Sequence, residues 1–118
     1  MSIVKVDYGE LMSSGELLLD YTQHYTETFP TLNIEKSGTL RIRISACTVN
    51  YVNNSQVKQN GTSVSWISKE QNSAYYVITD YEFNVNSGDV ITFNQGGNEA
   101  MIVIVATLDM EMPTPSYP

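Results

Sequence analysis

Charge is scarce in this 118-residue chain: Asp, Glu, Lys and Arg together make up only 16% of it. Six basic residues stand against 13 acidic ones, giving a net charge of −7 and a pI near 4.4. That balance repels a phosphate backbone and argues against nucleic acid as a direct partner. The two basic residues that stand close together, Arg41 and Arg43, fall on one face of a predicted strand and read as exposed strand-face charges in preference to a phosphate or sialic-acid site. A single cysteine, Cys47, excludes an internal disulfide and reads as a small buried hydrophobe inside a strand. The longest apolar run, 100–106, is far too short to cross a bilayer, so no membrane partner is expected. The opening MSIVKVDYGELM has neither a basic leader nor a long apolar stretch, and the expectation is a chain made and kept in a cytoplasm unless it leaves within an assembled particle.

Catalytic and metal-binding patterns are equally thin. The one histidine, His24, lies in a polar alternating segment, and nothing local pairs it with Cys47 as a nucleophile and base. No GxGxxG, GK[ST], HExxH or CxxC occurs, and the acidic residues Asp7, Glu10, Asp80 and Asp89 show no DxDxDG spacing. No enzyme activity, cofactor or metal is therefore expected. Asp80 and Glu82 do share a strand face, about 7 Å apart, a separation glycosidases use. Such pairs are common on wet strand faces, and that reading is preferred. The sequons Asn53-Asn54-Ser55 and Asn60-Gly61-Thr62 read as turns.

What the chain has in quantity is Ser, Thr and Asn, 33 residues in all, and strand-like alternation. Solubility then comes from short uncharged side chains on exposed strand faces and turns. From 75 to 85 the odd positions (Tyr75, Val77, Thr79, Tyr81, Phe83, Val85) are apolar or β-favouring while Asp80, Glu82 and Asn84 take even ones, which predicts a strand with one buried face. Asn86-Ser87-Gly88-Asp89 predicts a turn to an antiparallel strand at 90–93. Leu40, Ile42 and Ile44 alternate with Arg41, Arg43 and Ser45, and the apolar parity changes after Cys47, predicting a β-bulge near 46–48. Asn60-Gly61 is the dipeptide of a two-residue type I′ hairpin between 56 and 68. Within it Val64 and Trp66 share a face, with Trp66 read as a core anchor.

Elsewhere 16–21 reads as a short strand, 22–31 as an edge or loop because of Pro30, and 69–73 as a polar loop. In 100–108 both parities are apolar, so both faces of that strand should be covered, one by the core and one by a neighbouring subunit. The sum is an all-β, antiparallel β-sandwich, jelly-roll-like, of about eight strands. It occupies 1–109, and 110–118 forms an extended Pro-rich tail carrying three of the four prolines.

The motifs Gly38-Thr39-Leu40-Arg41-Ile42-Arg43-Ile44, Asn60-Gly61 and 83–93 (FNVNSGDVITF) resemble those of small β-sandwich, jelly-roll-like domains of bacteriophage tail, baseplate and head-decoration proteins. The resemblance spans about 37–108; the first 36 residues have no counterpart. It implies a virion structural protein, made in the host cytoplasm, that forms a homo-oligomer and contacts other virion proteins. Expected contacts are Met101, Val103, Val105, Met110, Met112, Pro113, Pro115 and Tyr117. The alternative is a carbohydrate-binding or receptor-binding module that stacks a host-surface glycan on Tyr51, Trp66, Tyr75 or Tyr76.

Overall fold

The computed structural model describes residues 15–24, 29–46, 57–71, 77–93 and 101–112. Among them are nine strands and no helix: β1 (Glu16–His24), β2 (Leu32–Asn33), β3 (Gly38–Ala46), β4 (Val57–Gln59), β5 (Thr62–Ser63), β6 (Ser68–Gln71), β7 (Val77–Val85), β8 (Val90–Phe93) and β9 (Met101–Leu108). They form two antiparallel sheets, one of order β1-β9-β3-β7-β6 and one of order β2-β8-β4-β5. The all-β sandwich expected from the alternation is what the chain adopts.

The central strand β3 sets the register of the larger sheet. Ile42 lies opposite Tyr81 on β7 and Ala106 on β9, and Ile44 opposite Thr79 and Ile104. These inward rows meet Val57, Ile91 and Phe93 of the smaller sheet, with Phe29 and Ile34 closing the end, in one buried cluster. Each such side chain, fully removed from water, stabilises the fold by roughly 1.5–3 kcal/mol. Tyr81 belongs to this core, and burial pushes its phenol up to about 12, the neighbouring Thr79 hydroxyl acting in the opposite direction.

Turn chemistry decides how the layers are joined. Asn60 and Gly61 both take positive φ, 51° and 84°, as a type I′ turn requires, and Gln59 pairs with Thr62 across it. At the other turn Gly88 has φ 95° and the Asp89 N–H donates to the Asn86 carbonyl at 3.0 Å, so the chain reverses as expected. It does not, however, return along its own sheet: β7 belongs to the larger sheet and β8 to the smaller, where it pairs with β2 and β4. The expected hairpin is a crossing between layers, because Val85 and Ile91 are both buried in the core and reach it from opposite sides. Asp89 pins this crossing to the β4–β5 hairpin: its carboxylate accepts from the Asn86 backbone N–H at 2.8 Å, the Gln59 amide at 3.0 Å and the Asn60 amide at 3.0 Å. These bonds hold its pKa below the usual carboxylate value, the Asn86 N–H most strongly.

Other expectations change. Residues 69–71, read as part of a loop, join Ser68 in β6, an exposed four-residue strand created by its ladder to β7 and not by any apolar pattern. The segment 16–21 is a strand, longer than expected, and the register shift of the larger sheet falls here, between Leu17 and Leu19 against β9. Cys47 and Thr48, where the bulge was expected, and Asn53-Asn54-Ser55 lie outside the described residues.

Candidate functional site

The outward face of the larger sheet brings together Arg41, Arg43, Asp80 and Glu82. Since Leu40, Ile42 and Ile44 point into the sandwich, Arg41 and Arg43 point out. The β3–β7 register sets Arg41 opposite Glu82 and Arg43 opposite Asp80. Arg43 donates to Asp80 through two parallel bonds, Nε to Oδ1 at 2.7 Å and Nη2 to Oδ2 at 3.0 Å, the fork geometry that makes arginine–carboxylate pairs strong and directional. Arg41 donates through Nε to Glu82 Oε1 at 2.9 Å.

The second pair is exposed, but the first is not: the Arg43 side chain retains 7% of its accessibility and Asp80 21%. The sequence reading of two solvated strand-face cations is corrected for Arg43. Neighbouring Ile78, Val103, Val105 and Thr107 on this face are buried as well, so the guanidinium stem lies in an apolar row. The carboxylate pair suited by spacing to a glycosidase is engaged here by two arginines.

The chain itself supplies part of the cover. Beyond β9, Asp109 takes φ 54°. Its N–H donates to the Thr39 carbonyl and its Oδ1 accepts from the Thr39 N–H, both at 2.9 Å. The backbone then turns over the outward face, where the Met110 carbonyl accepts from Thr107 Oγ1 at 2.7 Å and, more weakly, from Arg41 Nη1 at 3.4 Å. Gly15 lies under this segment; a Cβ there would stand 2.5 Å from Met110 Cβ and 2.6 Å from the Asp109 carbonyl oxygen. Arg41, Glu82, Glu111, Met112 and Ile67 border a groove of about 270 Å³, with the Arg43–Asp80 pair in its floor.

The residues singled out from sequence are dispersed. Val103 and Val105 are 2% and 3% exposed within the single chain, and Met110 is equally buried; both faces of β9 are covered, as its apolar parities required, but without a second subunit. Met112 is half-buried beside the groove. Met101 stands at the start of β9, opposite His24. Pro113, Pro115, Tyr117, Tyr51, Tyr75 and Tyr76 lie outside the described residues.

Trp66 is not the core anchor its alternation with Val64 implied. Val64 packs against the core, but Trp66 is 37% exposed and Ile67 63%, because the chain here leaves the smaller sheet after β5 and crosses to β6 in the larger one. Lys69 Nζ sits 5.9 Å from the Trp66 ring centroid, a cation–π contact. Ile67 and Glu111 were missed by sequence reasoning; neither carries a periodic signal, and only the fold sets them at one groove.

Among the described residues no group of three His, Cys, Asp or Glu side chains is placed to hold a metal ion, and no helix is long and apolar enough to cross a membrane. Comparison with protein-family models, curated proteins and solved structures gives no significant match to the chain.

Proposed function

We propose that the chain is a non-catalytic structural protein that assembles into a larger particle, a bacteriophage virion being the setting implied by the resemblance over residues 37–108. The observation that carries the assembly reading is the adjacent exposed pair Trp66 and Ile67 beside β6, an edge strand of the larger sheet. Single exposed apolar residues are ordinary, whereas a tryptophan next to an isoleucine at a sheet edge is the kind of anchor that dominates protein–protein contacts. Leu17, 41% exposed on the opposite edge strand β1, offers a second contact in the same sheet. Partner contact thus moves from Val103 and Val105, which the chain covers itself, to the two edges of the larger sheet, with the proline-rich stretch after Met112 as an arm.

Sedimentation velocity tests this directly. The chain is expected to self-associate with rising concentration, and Trp66→Ser with Ile67→Ser to return it to monomer. A chain monomeric at millimolar concentration, whose arm and Trp66–Ile67 corner can both be changed without effect on particle assembly, refutes the reading.

The exposure of Trp66 also favours a second reading, a glycan-binding or receptor-binding module, since an indole open to solvent serves as a stacking platform. Glycan binding abolished by Trp66→Ala in a folded chain supports it.

A further inference from the structure

We propose that the groove on the outward face of the larger sheet binds one ring of a neutral saccharide. The inference rests on the glycan-binding reading and assigns it a site, a ligand class and residues that the exposed tryptophan alone does not supply. The groove's volume of about 270 Å³ falls just below the range of roughly 300–1,000 Å³ that takes drug-sized ligands, which suits a single pyranose.

Its polar groups are matched to hydroxyls. Arg41 spends Nε on Glu82 and Nη1 on the Met110 carbonyl, leaving the two N–H groups of Nη2 without a partner among the described residues. Among the described residues Glu82 uses only Oε1, and Glu111, exposed at the groove edge, forms no ion pair. Donor and acceptor therefore stand side by side. A vicinal diol, each hydroxyl of which both donates and accepts, satisfies a guanidinium and a carboxylate at once, while Ile67 and Met112 offer an apolar surface to the C–H face of the ring.

Charge selects among sugars. Two guanidiniums against the carboxylates of Asp80, Glu82 and Glu111 leave the groove with one net negative charge, and Arg43 is already held by Asp80. Phosphate, sulfate or sialic acid would meet that excess carboxylate, with Arg41 alone offering donors, so an anionic ligand is disfavoured.

The test is a glycan array probed with the full chain, carrying neutral glucose-, galactose-, mannose- and fucose-terminated oligosaccharides beside sialylated and sulfated counterparts, followed by calorimetric titration of the neutral sugars bound. Neutral sugars are expected to bind, Glu111→Gln and Arg41→Lys each to weaken binding about tenfold, and Ile67→Ala severalfold; Glu111→Gln alters an exposed side chain and leaves the fold intact. Preference for sialylated or sulfated glycans overturns the proposal. Neutral binding that survives Glu111→Gln and Ile67→Ala but is lost in Trp66→Ala moves the sugar out of the groove, overturning the site while leaving the glycan reading standing. An array with no binding removes both.

Discussion

Asp80→Ala is the substitution whose consequence the fold determines most sharply. It removes the carboxylate that holds Arg43 in two bonds of 2.7 and 3.0 Å and leaves a guanidinium with 7% of its side chain exposed. Orphaning one member of a fully buried pair costs about 3–5 kcal/mol. Asp80 itself is 21% exposed, and Arg43 has interactions beyond this pair, so the expected loss is about 2–4 kcal/mol. The reverse substitution, Arg43→Met, leaves the carboxylate able to reach water and keeps an apolar side chain beside Val105, its cross-strand neighbour, and is expected to cost only about 1–2 kcal/mol. A domain of this size has roughly 6–18 kcal/mol of stability at 0.05–0.15 kcal/mol per residue, so both variants stay folded. Urea unfolding followed by Trp66 fluorescence, with a slope of about 1–3 kcal/mol/M, should place the Asp80→Ala midpoint about 0.7 M or more below wild type. The asymmetry between the two variants is the point of the experiment. Equal losses, or a loss from Asp80→Ala below about 1 kcal/mol that fades further with salt, would mean that the pair behaves as a surface ion pair and would refute its burial.

Four further outcomes follow from the same geometry. Gly61→Ala meets open space but must hold φ at 84°, costing about 1–2 kcal/mol; Gly15→Ala meets backbone at 2.6 Å and is expected to lower the melting temperature more, since the strap of 109–110 must shift. Because the folded pKa of Asp89 is lowered, the stability it contributes is fully present above its unfolded value of about 3.9 and is lost as pH falls through the folded value. Acid unfolding of Asp89→Asn should therefore lose part of the wild-type pH dependence below about pH 4. Tyr81 is the opposite case: its raised value keeps stability constant below about pH 10 and removes it as pH climbs toward 12, so Tyr81→Phe should flatten alkaline unfolding in that window.

Much of the scaffold is legible in the sequence. The period of two from 77 to 85 marked which side chains enter the core, and Asn60-Gly61 marked a turn whose φ values only a short list of residues accepts, because both are local constraints written into the chain. The double parity of 100–108 told that both faces of β9 are covered. It could not tell by what, and the cover proved to lie within the chain. Arg41, Arg43, Asp80 and Glu82 were each visible as charges, but their pairing depends on the register between β3 and β7, which joins residues 37 and 41 apart in sequence and which no local pattern encodes.

Sequence alone therefore determined the class of fold, the inward faces of β3 and β7 and the positions of the tight turns, since period and turn propensity act over a few residues. Tertiary structure alone decided that the chain crosses between sheets at Asn86–Asp89, that Trp66 emerges into solvent, and that Arg43 is buried on its partner. It alone also set Ile67 and Glu111 beside the Arg41–Glu82 pair. Each of these depends on which distant strands pair and in what register, and that choice is made by the burial of the whole core, where Leu40, Ile42, Ile44 and Ile104 must meet Val57, Ile91 and Phe93 at once.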